Sequence, residues 1–145
     1  FPPPQQNWNS HRFALGWLTG ILLQLAFFND TNYMKKFLAV FVAPVASYDK
    51  MKEQMKSATP EQKQAGMEKW KQWMDAHNAD IVDRGAPVGS AKHVTKSGVS
   101  DTRNEIGGYM IVQAESAEKA AEIFKDAPHG EIENAAVDVM EMMPM

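Results

Sequence analysis

The sequence predicts an α+β fold in which one antiparallel sheet carries helices on a single face. Three observations lead there. Short Val- and Phe-rich runs alternate with longer amphipathic stretches, in the order strand, helix, strand, strand, strand, helix, strand. The two strongest apolar runs, residues 35–43 and 107–114, are hydrophobic on both parities. The composition, 44% hydrophobic and 23% charged, supports a packed core and excludes a disordered chain.

Each element has its own signals. In residues 35–43, Phe37, Ala39 and Phe41 occupy one parity and Leu38, Val40 and Val42 the other, until Pro44 stops the strand. A loop with Ser47 and Asp49 leads into residues 48–56, read as one or two helical turns. Thr59-Pro60-Glu61-Gln62 opens the first long helix: Thr59 can cap, Pro60 suits the first helical position and Gln62 completes a capping box. Met67, Trp70, Trp73, Met74 and His77 form its apolar stripe over about five turns of 3.6 residues, to Asn78.

Residues 79–88 read as a strand interrupted by Gly85 and Pro87, and residues 90–96 as a polar edge strand. Residues 97–104 read as a loop, with Ser97-Gly98 as the turn signal. After the strand at 107–114, Ser116 caps a helix reaching Lys125, with Ala117, Ala120, Ala121 and Phe124 on one side. Pro128 and Gly130 break it. Residues 135–143 close the domain as a strand, with Val137 and Val139 on one face and Met140 and Met142 on the other.

Two β-α-β halves with both helices on one face of an antiparallel sheet make the ferredoxin-like plan. Helices cover one face only, so the other apolar face needs a second cover. The economical one is a second copy's sheet, packed across a two-fold axis as a dimeric α/β barrel. Burial of roughly 700 Å² per subunit would contribute about 17 kcal/mol before association costs. A homodimer is the expected assembly.

Residues 1–33 differ from the rest. They carry one acid, Asp30, and one base, Arg12, and hold an uncharged run of 17 residues, 13–29. Three readings stay open: a signal peptide, a membrane anchor, or an extension outside the native protein, whose first methionine would be Met34. If residues 13–28 anchor the chain, Lys35 and Lys36 outnumber Arg12 and keep the domain at residues 34–145 cytoplasmic. A cytoplasmic location is expected in either case, and Cys 0 excludes disulfides and a cysteine nucleophile.

Thr59-Pro60-Glu61, Met67-Glu68-Lys69-Trp70, Trp73, Gly85-Ala86-Pro87-Val88-Gly89, Gly108-Tyr109-Met110-Ile111-Val112-Gln113-Ala114-Glu115-Ser116, Pro128-His129-Gly130 and Val137-Asp138-Val139-Met140-Glu141-Met142 follow one another along residues 34–145. In order and spacing they resemble the YCII-related (DGPF-type) proteins. That resemblance implies a dimeric α/β barrel with a ligand-sized cleft in each subunit. In some members a His–Asp pair is the proposed catalytic element, with its His on the first long helix. Here that helix has Met67, Trp70 and Trp73 on its inner face and only His77 at its far end, whereas His129 matches a histidine of the most similar branch.

The candidate site follows. His129, just past a helix end, can serve as acid–base or can cap the helix. Asp83, an acid inside a strand, can orient a histidine or pair with Arg84. Trp70, Trp73 and Tyr109 can wall a pocket for a flat ligand, or simply fill core. No His, Asp or Glu spacing suits a metal, and no glycine-rich phosphate loop or serine elbow occurs, so neither metal nor cofactor is expected. With 15 Lys and Arg against 18 Asp and Glu, no nucleic-acid partner is expected either. Three functions fit: a small-molecule-binding protein, an enzyme of the cofactor-free oxygenase or lyase type using His129 and Asp83, and a non-catalytic interaction dimer.

Overall fold

The computed structural model describes residues 34–145, and the three readings of residues 1–33 lie outside them. Strand β1 (Lys35–Val42) leads to helix α1 (Val45–Ser57) and helix α2 (Pro60–Ala76). Strands β2 (Ile81–Pro87), β3 (Ala91–Thr95), β4 (Gly98–Thr102) and β5 (Ile106–Ala114) follow. Helix α3 (Ala117–Ile123), a 3₁₀ turn (Pro128–Glu131) and β6 (Ala136–Glu141) complete the domain.

Four strands form one sheet in the order β2-β5-β1-β6, with every neighbouring pair antiparallel. Chain neighbours β1 and β2 are separated by β5, and β5 and β6 by β1. This is the ferredoxin-like plan, built from β1-α1α2-β2 and β5-α3-β6. Phe37, Ala39 and Phe41 of β1 and Met110, Val112 and Ala114 of β5 point into one core with Trp73, Ala120, Ile123, Phe124 and Ala127. The opposite parity stays open: Leu38, Val40, Val42 and Ile111 are only half-buried, and Tyr109 and Met140 are 36% and 47% exposed. Among the described residues no helix is long and apolar enough to cross a membrane.

The capping box forms as read: Thr59 Oγ1 accepts from the Gln62 amide at 3.2 Å, and Gln62 Oε1 accepts from the Thr59 amide at 2.9 Å. Ser116 likewise caps α3 through the Lys119 amide.

Two elements correct the sequence reading. Residues 48–56 are not a turn or two but most of the 13-residue α1, which starts at Val45. Pro44 fixes the approach, and its carbonyl accepts from the Ser47 and Tyr48 amides, so Ser47 and Asp49 lie inside the first turns rather than in a loop. Residues 97–104 are not a loop throughout. Gly98–Thr102 pairs with Ala91–Thr95 as a hairpin turning at Lys96-Ser97, and this hairpin is a separate two-stranded sheet inserted between the two halves. Gly98 adopts φ 151°, which its lack of a Cβ permits. With Val94 and Val99 largely exposed, the hairpin has no buried face to impose an apolar period.

Candidate functional site

A cleft of about 450 Å³ opens where the ends of β1, β2 and β5 meet α1, α2 and the 3₁₀ turn. Its walls are mostly apolar: Phe41, Met51, Trp70, Met74, Met110 and Ile132. The polar groups facing it are few, namely His129, Tyr48 and Arg84, besides the backbone of residues 84–87 and 107–110. Its volume falls in the range of about 300–1,000 Å³ usual for small-molecule sites. A second groove between α1 and α2 shares Met51, Trp70, His129 and Ile132 with it, so these four side chains stand between the two volumes.

His129 is 5% exposed. Its ring meets Phe41 edge-on at 5.1 Å, and its Nε2 lies 2.9 Å from the Val42 carbonyl oxygen. A carbonyl can only accept, so Nε2 carries the proton and donates. In the neutral ring, Nδ1 is then the bare acceptor. Among the described residues His129 makes no second hydrogen bond, and no buried side-chain nitrogen or oxygen lacks a partner. Nδ1 therefore opens onto accessible space. Pro128 starts the turn that presents the ring. Lys69–Glu131 at 2.9 Å and Lys50–Glu133 at 3.1 Å tie the turn and the residues after it to α2 and α1.

Tyr48, on α1, donates a long hydrogen bond of 3.4 Å to the Phe41 carbonyl. Burial, with a further contribution from the Glu105 carboxylate, raises its pKa above that of a free phenol, so it stays a neutral donor. Gly107 makes room for it: an added Cβ would sit 2.7 Å from Tyr48 Cζ and closer still to the hydroxyl. On the other wall, the register slips between Asp83 and Ala86, so Arg84 and Gly85 together oppose Met110. Gly85 sits there at φ 62°, where a Cβ would overlap the Tyr109 carbonyl.

The structure brings the His129 and Trp70 side chains to this cleft, whereas Tyr109 lines it through its backbone and shares the parity of Ile111 on the helix-free face. Trp70 meets Phe41 edge-on at 5.6 Å. Trp73 lies deeper, 6% exposed in the core between Phe124 and His77, with its indole N–H on Asp126 at 3.2 Å. Asp83 is exposed, stands opposite Ile111, and accepts from the Gly85 amide at 2.8 Å, so its hydrogen bond steadies the bulge and not the His129 ring. Tyr48, Met51, Met74 and Arg84 went unnoticed as site residues. The one available signal was the consecutive Gly107-Gly108, a pair that weakens a strand unless something approaches closely. Among the described residues no three His, Asp or Glu side chains gather as metal ligands would.

The fold and site together define a ferredoxin-like α+β domain with one largely apolar cleft overlooked by a buried, backbone-anchored histidine. The model of the YCII-related domain matches residues 40–143, most of the chain, and the protein belongs to that family. No match is found among curated proteins.

Proposed function

We propose that this YCII-related domain binds a small organic molecule in the Phe41–Trp70–Met110 cleft, and that His129 acts there as proton acceptor through Nδ1. One observation carries this reading: the imidazole is buried, its Nε2 is committed to the Val42 carbonyl, and its other nitrogen meets accessible space beside apolar walls. In this arrangement a backbone carbonyl does the orienting that a carboxylate does elsewhere, fixing ring and tautomer without adding charge. Aromatic and thioether walls exclude water from a bound ligand, which favours acid–base chemistry such as proton abstraction or elimination.

The test is a small-molecule screen by thermal shift on the full chain, followed by amide chemical-shift mapping. Hits should perturb Phe41, Tyr48, Gly107, Met110 and His129 together, and a hit at 100 times its Kd stabilises by about 2.7 kcal/mol. Hits that map only to the hairpin or the open sheet face would refute the assignment.

The assembly we propose is a homodimer packed through the helix-free face. Leu38 lies between Ile111 and Met140 in register, and Val40 between Tyr109 and Asp138, so apolar residues of three strands form a patch bordered by one acid. Sedimentation of the full chain should give twice the monomer mass, and Leu38→Glu should give the monomer. A monomeric parent protein at micromolar concentration would end this part of the proposal.

A further inference from the structure

We infer that the ligand of this cleft is an organic anion, an apolar body of aromatic or branched shape bearing one carboxylate, and that Arg84 holds the carboxylate at the rim. The inference rests on the cleft reading proposed above and adds the ligand's charge and polarity to it.

Among the described residues that line the cleft, Arg84 is the only one with a permanent charge, and none is an acid. The bulge at Gly85 places Arg84 opposite Met110, and its guanidinium extends towards α2, the helix that supplies Trp70 and Met74. Arg84 forms an exposed ion pair with Asp75 there, but Nη2 and Oδ1 are 3.7 Å apart, too far for a hydrogen bond, so its donors stay open. Asp75 is engaged elsewhere: its Oδ2 accepts from Lys71 at 3.0 Å. Among the described residues Arg84 donates no hydrogen bond. A guanidinium offers five donors in a planar fork that fits a carboxylate with two parallel bonds.

The neighbouring acid, Asp83, is turned to the Gly85 amide and does not compete. Charge balance sets the ligand's size of charge. One cation facing apolar walls suits a monoanion, whereas a polyphosphate would bring several charges against a chain of net charge -3. With the carboxylate on Arg84, the apolar body lies against Trp70, Phe41 and Met110, and the group to be deprotonated can face His129.

Isothermal titration of the full chain with phenylacetate, cinnamate and indoleacetate, each beside its neutral primary amide, tests this. At least one carboxylate should saturate, with its amide bound at least about tenfold more weakly, as expected for loss of charge-assisted hydrogen bonds. Arg84→Gln should bring the carboxylate to the level of the amide and leave the amide unchanged, while Arg84→Lys recovers part of the difference. Trp70→Leu should weaken acid and amide alike. Equal affinity of acid and amide, or no effect of Arg84→Gln, overturns the anion inference, while continued sensitivity to Trp70→Leu leaves the cleft reading standing. Binding indifferent to Trp70→Leu, or no saturable binding by any of the six up to about 10 mM, overturns both.

Discussion

Replacing His129 separates its structural role from its chemistry. In His129→Ala, three losses add. The Val42 carbonyl loses its donor at 2.9 Å, which costs about 1–3 kcal/mol for a buried acceptor left unpaired. The edge contact with Phe41 at 5.1 Å contributes about 0.5–1.5 kcal/mol more. The emptied volume then adds a cavity cost that partial collapse of the 3₁₀ turn moderates. A total destabilisation of about 2–5 kcal/mol is expected. His129→Phe keeps the ring against Phe41 and loses only the hydrogen bond, so about 1–3 kcal/mol is expected. Urea unfolding of the full chain, followed by far-ultraviolet circular dichroism at one pH, gives both values from the midpoints at constant slope. If either variant changes stability by less than about 0.5 kcal/mol, the imidazole is not the tie between the turn and β1, and the tautomer argument falls with it.

Gly107→Ala should drive the Tyr48 ring off the strand and destabilise by about 1–3 kcal/mol, as overpacking does. A double-mutant cycle with Tyr48→Ala should show coupling above about 0.5 kcal/mol, and additivity would refute the contact. Asp49 accepts both arms of Arg103, at 2.6 and 3.2 Å, and that hydrogen bonding holds its carboxyl below the ordinary carboxylate value. Its folded pKa is thus below its unfolded one, so the pair's contribution is full above the ordinary value and is lost as pH falls through the lower folded value. A carboxyl-carbon titration should show Asp49 moving up in Arg103→Gln, and an unmoved titration would refute the pairing. Phe37, wholly buried in the core, should cost about 3–5 kcal/mol as Phe37→Ala in the same urea assay.

The main sheet was legible because its signals are local and strong. Pro44 ends one strand, Thr59 to Gln62 starts a helix, Ser116 starts another, and the double-sided β1 and β5 reveal their central places. Helix α1 hid because its stripe is weak: Met51 and Met55 are both exposed, and Ser47 and Asp49 mimic a loop. The β3–β4 hairpin hid for a related reason, since a strand exposed on both faces needs no apolar alternation. The site was half legible. His129 and Trp70 stood out as residue types that need a reason, but Arg84 reaches the cleft only through a bulge whose register no periodicity reveals. Tyr48 reaches it only through the glycine that yields space across 59 residues of chain. Asp83 and Trp73 look chemical in sequence, yet their hydrogen bonds go to the Gly85 amide and to Asp126.

The most direct measurement is a long-range ¹H–¹⁵N correlation spectrum of the full chain, recorded where the His129 ring is neutral. Nε2 should resonate as the protonated nitrogen and Nδ1 as the bare one, and a cleft ligand should move Nδ1 far more than Nε2. A ring protonated on Nδ1, or an Nδ1 signal indifferent to every molecule that binds, would contradict a histidine held by Val42 and facing the cleft.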